Sequence, residues 1–245
     1  MPSAEKGWSA WSSTTTCTTV WGESWWEEDN PLNLLHGSLT PGRFAYFRKV
    51  LGETVGRDHH GLRALDVGSG GGFLAEEFTR IGFRVTGIDP SPVSVDTARR
   101  HAAGSALDIE YRIGSGEQLP VPDAAFDVIY CCDVLEHVSD LDGVIAETSR
   151  ALKPGGLYLF DTINRTFASK LVAIKIMQEW RMTRMFDTPI HDWSMCIRPR
   201  GAGADHGAAR TAARRGRRAR AAVEESAPAP RPRPGRRNTA QLRGS

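Results

Sequence analysis

The sequence predicts an α/β fold, a parallel sheet with helices on both faces, on two observations made between residues 61 and 164. Short apolar runs alternate there with amphipathic stretches, which is the rhythm of βαβ units. The first of those runs ends in a glycine-rich turn that opens a helix. A chain of 245 residues with 40% hydrophobic content supports one such domain with a sizeable core, whereas two full domains would be crowded.

The elements follow in order. Residues 41–50 read as a helix lying against the ligand-binding face, within a helical cover at 22–60. Residues 63–67 form the first strand of a core spanning 61–165, and a helix runs from the glycine turn to about residue 81. The second strand, 84–88, stops at Asp89-Pro90-Ser91-Pro92, and a helix at 94–103 leads to a third strand at 109–113. Residues 127–132 make the fourth strand and are followed by a helix to about residue 151. The turn Lys153-Pro154-Gly155-Gly156 then introduces a fifth strand at 157–162.

Composition excludes several classes. Four scattered cysteines (Cys17, Cys131, Cys132, Cys196) make neither a disulfide framework nor a zinc site, so the chain reads as reduced, intracellular and cytoplasmic. No run of about 18 apolar residues and no secretory leader pattern occurs, which predicts neither export nor a membrane span. Residues 196–245 carry thirteen Arg against three acids, a net +10, while the preceding residues sum to −8. This Arg/Ala/Gly/Pro tail has too little apolar surface to offset its ordering entropy and reads as disordered. Without interleaved Lys and aromatic residues it predicts no specific nucleic-acid binding. Its composition matches a GC-rich gene read out of frame, and the Ser/Thr run in residues 1–21 reads as a disordered or misread lead-in.

The strongest chemical signal is Leu65-Asp66-Val67-Gly68-Ser69-Gly70-Gly71-Gly72-Phe73. Glycine lets the backbone turn sharply and approach a ligand where a Cβ would collide with it, which singles out Gly68 and Gly70. Asp89, about 21 residues after Gly68, ends the next strand where an acid accepts hydrogen bonds from both ribose hydroxyls. A nicotinamide dinucleotide would suit this pattern too, but Phe73 replaces the third glycine of G-x-G-x-x-G. Asp66, moreover, would repel a pyrophosphate while holding a cationic methionine end. The expected cofactor is S-adenosylmethionine.

Further stretches resemble class I methyltransferases. Gly114-Ser115-Gly116-Glu117-Gln118 lies where those enzymes place a polar residue beside the adenine, here Glu117. Phe126-Asp127-Val128-Ile129 with Leu135-Glu136-His137-Val138, and Leu152-Lys153-Pro154-Gly155-Gly156, resemble their fourth-strand and pre-fifth-strand motifs. Trp25-Trp26-Glu27-Glu28, His36, Pro41-Gly42-Arg43-Phe44 and Asp161-Thr162-Ile163-Asn164-Arg165 narrow the resemblance to the O-methyltransferases of ubiquinone biosynthesis, over roughly residues 22–199. The resemblance implies a Rossmann-like sheet, here without its last two strands, with Arg43, Gly68, Asp89 and Cys132 contacting the cofactor. It also implies methylation of a catechol-type hydroxyl on a polyprenylated quinone precursor or similar phenol.

An aromatic hydroxyl has a pKa near ~10, so its attack on a methyl group at neutral pH needs a base or a metal. In the family an E-x-x-E-H set is implicated in holding a divalent cation such as Mg. The corresponding residues here are Asp133, Glu136 and His137, with the first acid one carbon shorter. Leu-Glu-His also occurs in methyltransferases that need no metal, where the His lines the pocket or caps a helix. His137 is the candidate acid–base residue.

Within 166–195, residues 167–186 read as a helix with Lys170, Arg181 and Arg184 on one side and apolar groups with Trp180 elsewhere. That suits contact with the inner membrane surface, where a polyprenyl substrate resides, and equally an ordinary lid over the site. Family members continue past the equivalent of Trp193 with a helix and two more strands, so the fifth strand is expected to be an exposed edge and the activity of this chain is in question. Two further readings compete: a methyltransferase of secondary metabolism, and an inactive remnant that still binds the cofactor.

Overall fold

The computed structural model describes residues 22–28, 30–162 and 220–223. A single 3-10 turn at Gly22–Ser24 leads to helix α1 (Pro31–Thr54). Then follow β1 (Arg63–Val67), α2 (Phe73–Arg80), β2 (Arg84–Asp89), α3 (Pro92–Gly104), β3 (Glu110–Ile113), β4 (Phe126–Cys131), α4 (Leu141–Ala151) and β5 (Leu152–Phe160). A short β6 (Arg220–Val223) completes one sheet of order β3-β2-β1-β4-β5-β6, every pairing parallel. The order reverses between β1 and β4, the switch point at which open α/β sheets build their ligand clefts.

Side chains of period 2 split the core in two. Ala64, Val85, Val128, Tyr130, Leu157 and Leu159 face α1, α2 and α3, where Phe47 and Phe78 are fully buried and the Phe78 ring stacks on Tyr130 at 4.0 Å between centroids. Leu65, Val67, Ile88, Ile129 and Tyr158 face the other way, towards Val144 and Ala151 of α4 and the 119–125 segment. The helices begin where local chemistry starts them. Ser91 caps α3 by accepting from Ser94 N at 3.3 Å with Pro92 in the first turn, and Asp140 caps α4 by accepting from Gly143 N at 2.9 Å.

Three expectations change. Helix α1 begins ten residues before Pro41 and runs through it. Its second half is held by Phe44, Phe47 and Leu51 against Phe78, and Asn33 in its first half donates to Trp25 O at 3.0 Å. Packing outweighs the backbone hydrogen bond that proline removes. The Lys153–Gly156 turn lies inside β5 as a bulge: Phe126 pairs with Leu152, and the next pair is Val128 with Leu157. Finally, β5 is not an open edge, because residues 220–223 of the basic tail lie along it. The rest of that tail, residues 1–21, and the amphipathic stretch at 167–186 lie outside the described residues.

Candidate active site

The glycine turn after β1 is tied to β2 by its own backbone. Gly68 N and Ser69 N both donate to Ile88 O, at 2.8 and 3.0 Å. Gly68 has φ +80°, and a Cβ there would meet Val134 Cγ2 at 2.2 Å, so the carboxyl end of β1 admits no side chain at this point. Asp89 closes β2 beside it. Its Oδ2 accepts from Gly70 N at 2.8 Å and its Oδ1 from Ser91 N at 2.9 Å. Burial pushes this carboxyl up to about 6 against the pull of those two N–H groups. Each carboxylate oxygen keeps a second lone-pair site, so Asp89 holds the turn and can still accept from a diol.

The turn and Asp89 form one wall of a cleft with an empty volume of about 1050 Å³, mouth included. Asp66, at 3% exposure, lines it. Burial, then the neighbouring Asp89, raise the Asp66 carboxyl well above the ordinary range, while Tyr130 and Arg43 pull it down. A cationic ligand beside Asp66 would offset that desolvation, which is the chemistry a sulfonium or ammonium supplies.

Two tryptophans fix the turn from the other side. Trp25 packs on it so closely that a Cβ on Gly71 would lie 2.6 Å from Trp25 Cβ, and its indole N–H donates to Ser94 Oγ at 2.9 Å. Trp26 donates to Gly71 O at 2.8 Å and stacks parallel on His101 at 3.5 Å between centroids. The other ring face of Trp26 lies against Phe73, at 3.9 Å. His101 in turn sits 2.5 Å from the fully buried carboxylate of Glu76, which Arg80 also pairs at 2.7 Å. His101→Ala removes the stack and leaves a buried carboxylate one partner short. The expected result is a loss of about 1–3 kcal/mol in denaturant unfolding, with intrinsic fluorescence shifted as Trp26 loosens.

At the carboxyl ends of β4 and β5 the charges cluster. Asp133 adopts φ +56°, rare for a residue with a Cβ, and its carboxylate pairs with Arg43 at 2.7 Å. Arg43 also bonds Asp161 through Nε, and Asp161 Oδ1 accepts from Asp133 N at 3.0 Å. Glu136 turns away into the protein, at 2% exposure, where Oε2 accepts from Thr162 Oγ1 at 2.9 Å and Oε1 has no partner among the described residues. Burial, and then the nearby Asp133, push Glu136 up to about 8. The folded protein therefore holds this proton more tightly than the unfolded chain does. Its contribution to stability is full below the ordinary glutamate range and is lost as pH rises towards 8. Glu136→Gln is expected to flatten the fall of melting temperature between pH 6 and 8, measured side by side with the parent.

Of the residues expected from sequence, the cleft gathers Arg43, Asp66, Gly68, Gly70, Asp89, Cys132, Asp133 and His137 on its walls. Glu117 does not join them: it faces Ser139, whose hydroxyl donates to its Oε1 at 3.4 Å, and Gly114 and Gly116 line the cleft instead. Asp133 lies near enough to Glu136 to act on its carboxyl, but no group of three His, Cys, Asp or Glu residues suited to a metal ion occurs among the described residues. Trp25, Thr40 and Ser69 also line the cleft, and the hydroxyls of Thr40 and Ser69 are buried without partners among the described residues. The Trp pair stood out in the sequence, but nothing in its spacing reveals contact with a turn some 45 residues on.

A glycine turn at the switch point, a carboxylate closing the next strand and a second, buried carboxylate in the cleft accompany matches that make this chain an S-adenosylmethionine-dependent methyltransferase. The family model described as a methyltransferase domain matches residues 65–160. The ubiquinone biosynthesis O-methyltransferase of Methylocella silvestris is 40% identical, over 73% of this chain and 73% of its own. That of Paramagnetospirillum magneticum is 37% identical, over 74% of each chain. Among solved structures, an S-adenosylmethionine-dependent methyltransferase from Mesorhizobium loti shares 29% identity over 48% of this chain and 53% of that one, with a TM-score of 0.42. The chain belongs to the ubiquinone biosynthesis O-methyltransferase family.

Proposed function

We propose that this enzyme methylates a phenolic or catechol hydroxyl of a quinone precursor, and that the reaction takes place between the glycine turn and the Asp133–His137 segment. The observation that supports the reading is the pairing of Asp89 with Gly70, which holds a carboxylate beside the glycine turn in the cleft that His137 also lines. When bound, S-adenosylmethionine supplies a methyl group on a positively charged sulfur. Asp66 and Cys132 hold its methionine end, and Asp89 its sugar. His137, on the cleft wall, takes the phenolic proton as the oxygen attacks. Titration calorimetry with S-adenosylhomocysteine, followed by assays of polyprenylated catechols against soluble phenols, tests the reading. Turnover of soluble phenols alone would favour secondary metabolism instead.

As they stand, Asp133, Glu136 and His137 do not fit a divalent cation, because Arg43 occupies Asp133 and Glu136 is turned to Thr162. Activity that disappears in EDTA and returns with Mg²⁺ would show that the three regroup.

No helix among the described residues is long and apolar enough to cross a membrane. Docking on the membrane surface through 167–186 is part of the same proposal, since a polyprenyl acceptor resides in the bilayer. Trp180→Ser with Met182→Ser is expected to weaken binding to anionic vesicles, and unchanged binding would remove the membrane step.

A further inference from the structure

We propose that Thr40 is a binding residue of the cleft, its hydroxyl hydrogen-bonding the amino-acid end of the cofactor; this rests on the S-adenosylmethionine reading above. Thr40 lines the cleft from α1 at 8% exposure, and its Oγ1 has no partner among the described residues. A threonine inside a helix ordinarily satisfies its hydroxyl on the carbonyl one turn back, as Thr79 does with Ala75 O at 2.8 Å. Thr40 does not, and a buried hydroxyl left without a partner is unfavourable unless something entering the site satisfies it.

Its position says which part of a ligand that is. Arg43 lies three residues on, so the two side chains leave the same helix face roughly 5 Å apart along the axis. Arg43 reaches Asp133 and Asp161 at the ends of β4 and β5, and its charge is felt by Asp66 at the end of β1. Thr40 therefore faces the β1–β4 end of the cleft, whereas the sugar carboxylate Asp89 closes β2 on the other side of β1. Arg43 already bonds two acids, so a ligand carboxylate arriving there needs another donor. The Thr40 O–H is such a donor, and the same oxygen can accept from an ammonium.

The experiment compares Thr40→Val and Thr40→Ser with the parent, using S-adenosylhomocysteine and 5′-methylthioadenosine, which lacks the amino-acid end, as calorimetric probes. Thr40→Val is expected to weaken S-adenosylhomocysteine binding and raise the KM for S-adenosylmethionine by roughly tenfold, the size of one hydrogen bond to a charged group. Methylthioadenosine binding, kcat and the acceptor's KM should stay within about twofold, and Thr40→Ser should restore the loss. The melting temperature of the Val variant without ligand should not fall, because the replaced hydroxyl has no protein partner. Parent-like S-adenosylhomocysteine binding by Thr40→Val, equal weakening of both probes, or a shift in the acceptor's KM alone would overturn the proposal. A parent protein that binds neither probe would instead overturn the cofactor reading itself.

Discussion

Replacing Asp89 with Ala is expected to weaken S-adenosylhomocysteine binding by at least about 100-fold, from the loss of charge-assisted bonds worth roughly 1.5–3 kcal/mol each. The side chain carries two duties. Its oxygens receive Gly70 N and Ser91 N, so they set the glycine turn and the start of α3, and the residue lines the cleft. Asp89→Asn separates the duties: one oxygen remains to hold a backbone N–H, while the charge and one acceptor are lost. Binding should also weaken as pH falls through about 6, because the protonated carboxyl accepts poorly. Calorimetry from pH 5 to 8 checks both, and an Ala variant that binds like the parent would leave the sugar site without its anchor.

Gly68→Ala is expected to be the most damaging single methyl group among the described glycines. At φ +80° an L side chain is strained by about 1–3 kcal/mol, and the new Cβ would lie 2.2 Å from Val134 Cγ2. Overpacking adds typically 1–3 kcal/mol more, so urea unfolding should show a loss of roughly 2–6 kcal/mol. Val134→Ala in the same chain should recover the overpacking part and leave the backbone strain. A double variant no more stable than Gly68→Ala would mean that Val134 is not the obstacle.

Much of the sheet was legible in the sequence because its strands are buried on both faces and read as short apolar runs. The β1 boundaries and the end of β3 agree, and β4 is displaced by one residue. The glycine turn and Asp89 were legible for a related reason, since backbone shape and strand ends leave local signatures. What remained hidden depends on contacts far along the chain. Arg43 meets Asp133 across 90 residues and Trp26 meets Gly71 across 45, and no spacing rule spans such distances. Asp133, Glu136 and His137 are close in sequence, yet the partners of the two acids lie far along the chain. They form irregular turns before α4, where Asp133 pairs with Arg43 and Glu136 accepts from Thr162. The helical pattern read at 41–50 is only the second half of α1, because the aromatic seam of Phe44, Phe47 and Phe78 carries that helix straight through Pro41.

The contact between Trp25 and Gly71 also bears on how this sequence can drift. The bare α-carbon of Gly71 is fitted to an indole as much as to any visiting molecule, since a methyl group there would lie 2.6 Å from Trp25 Cβ. The nearest atom is the Cβ that every residue but glycine carries, so replacing the tryptophan alone would not admit that methyl. Position 71 is thus held to glycine by the path of the chain at position 25, and a larger residue there needs that path to move first.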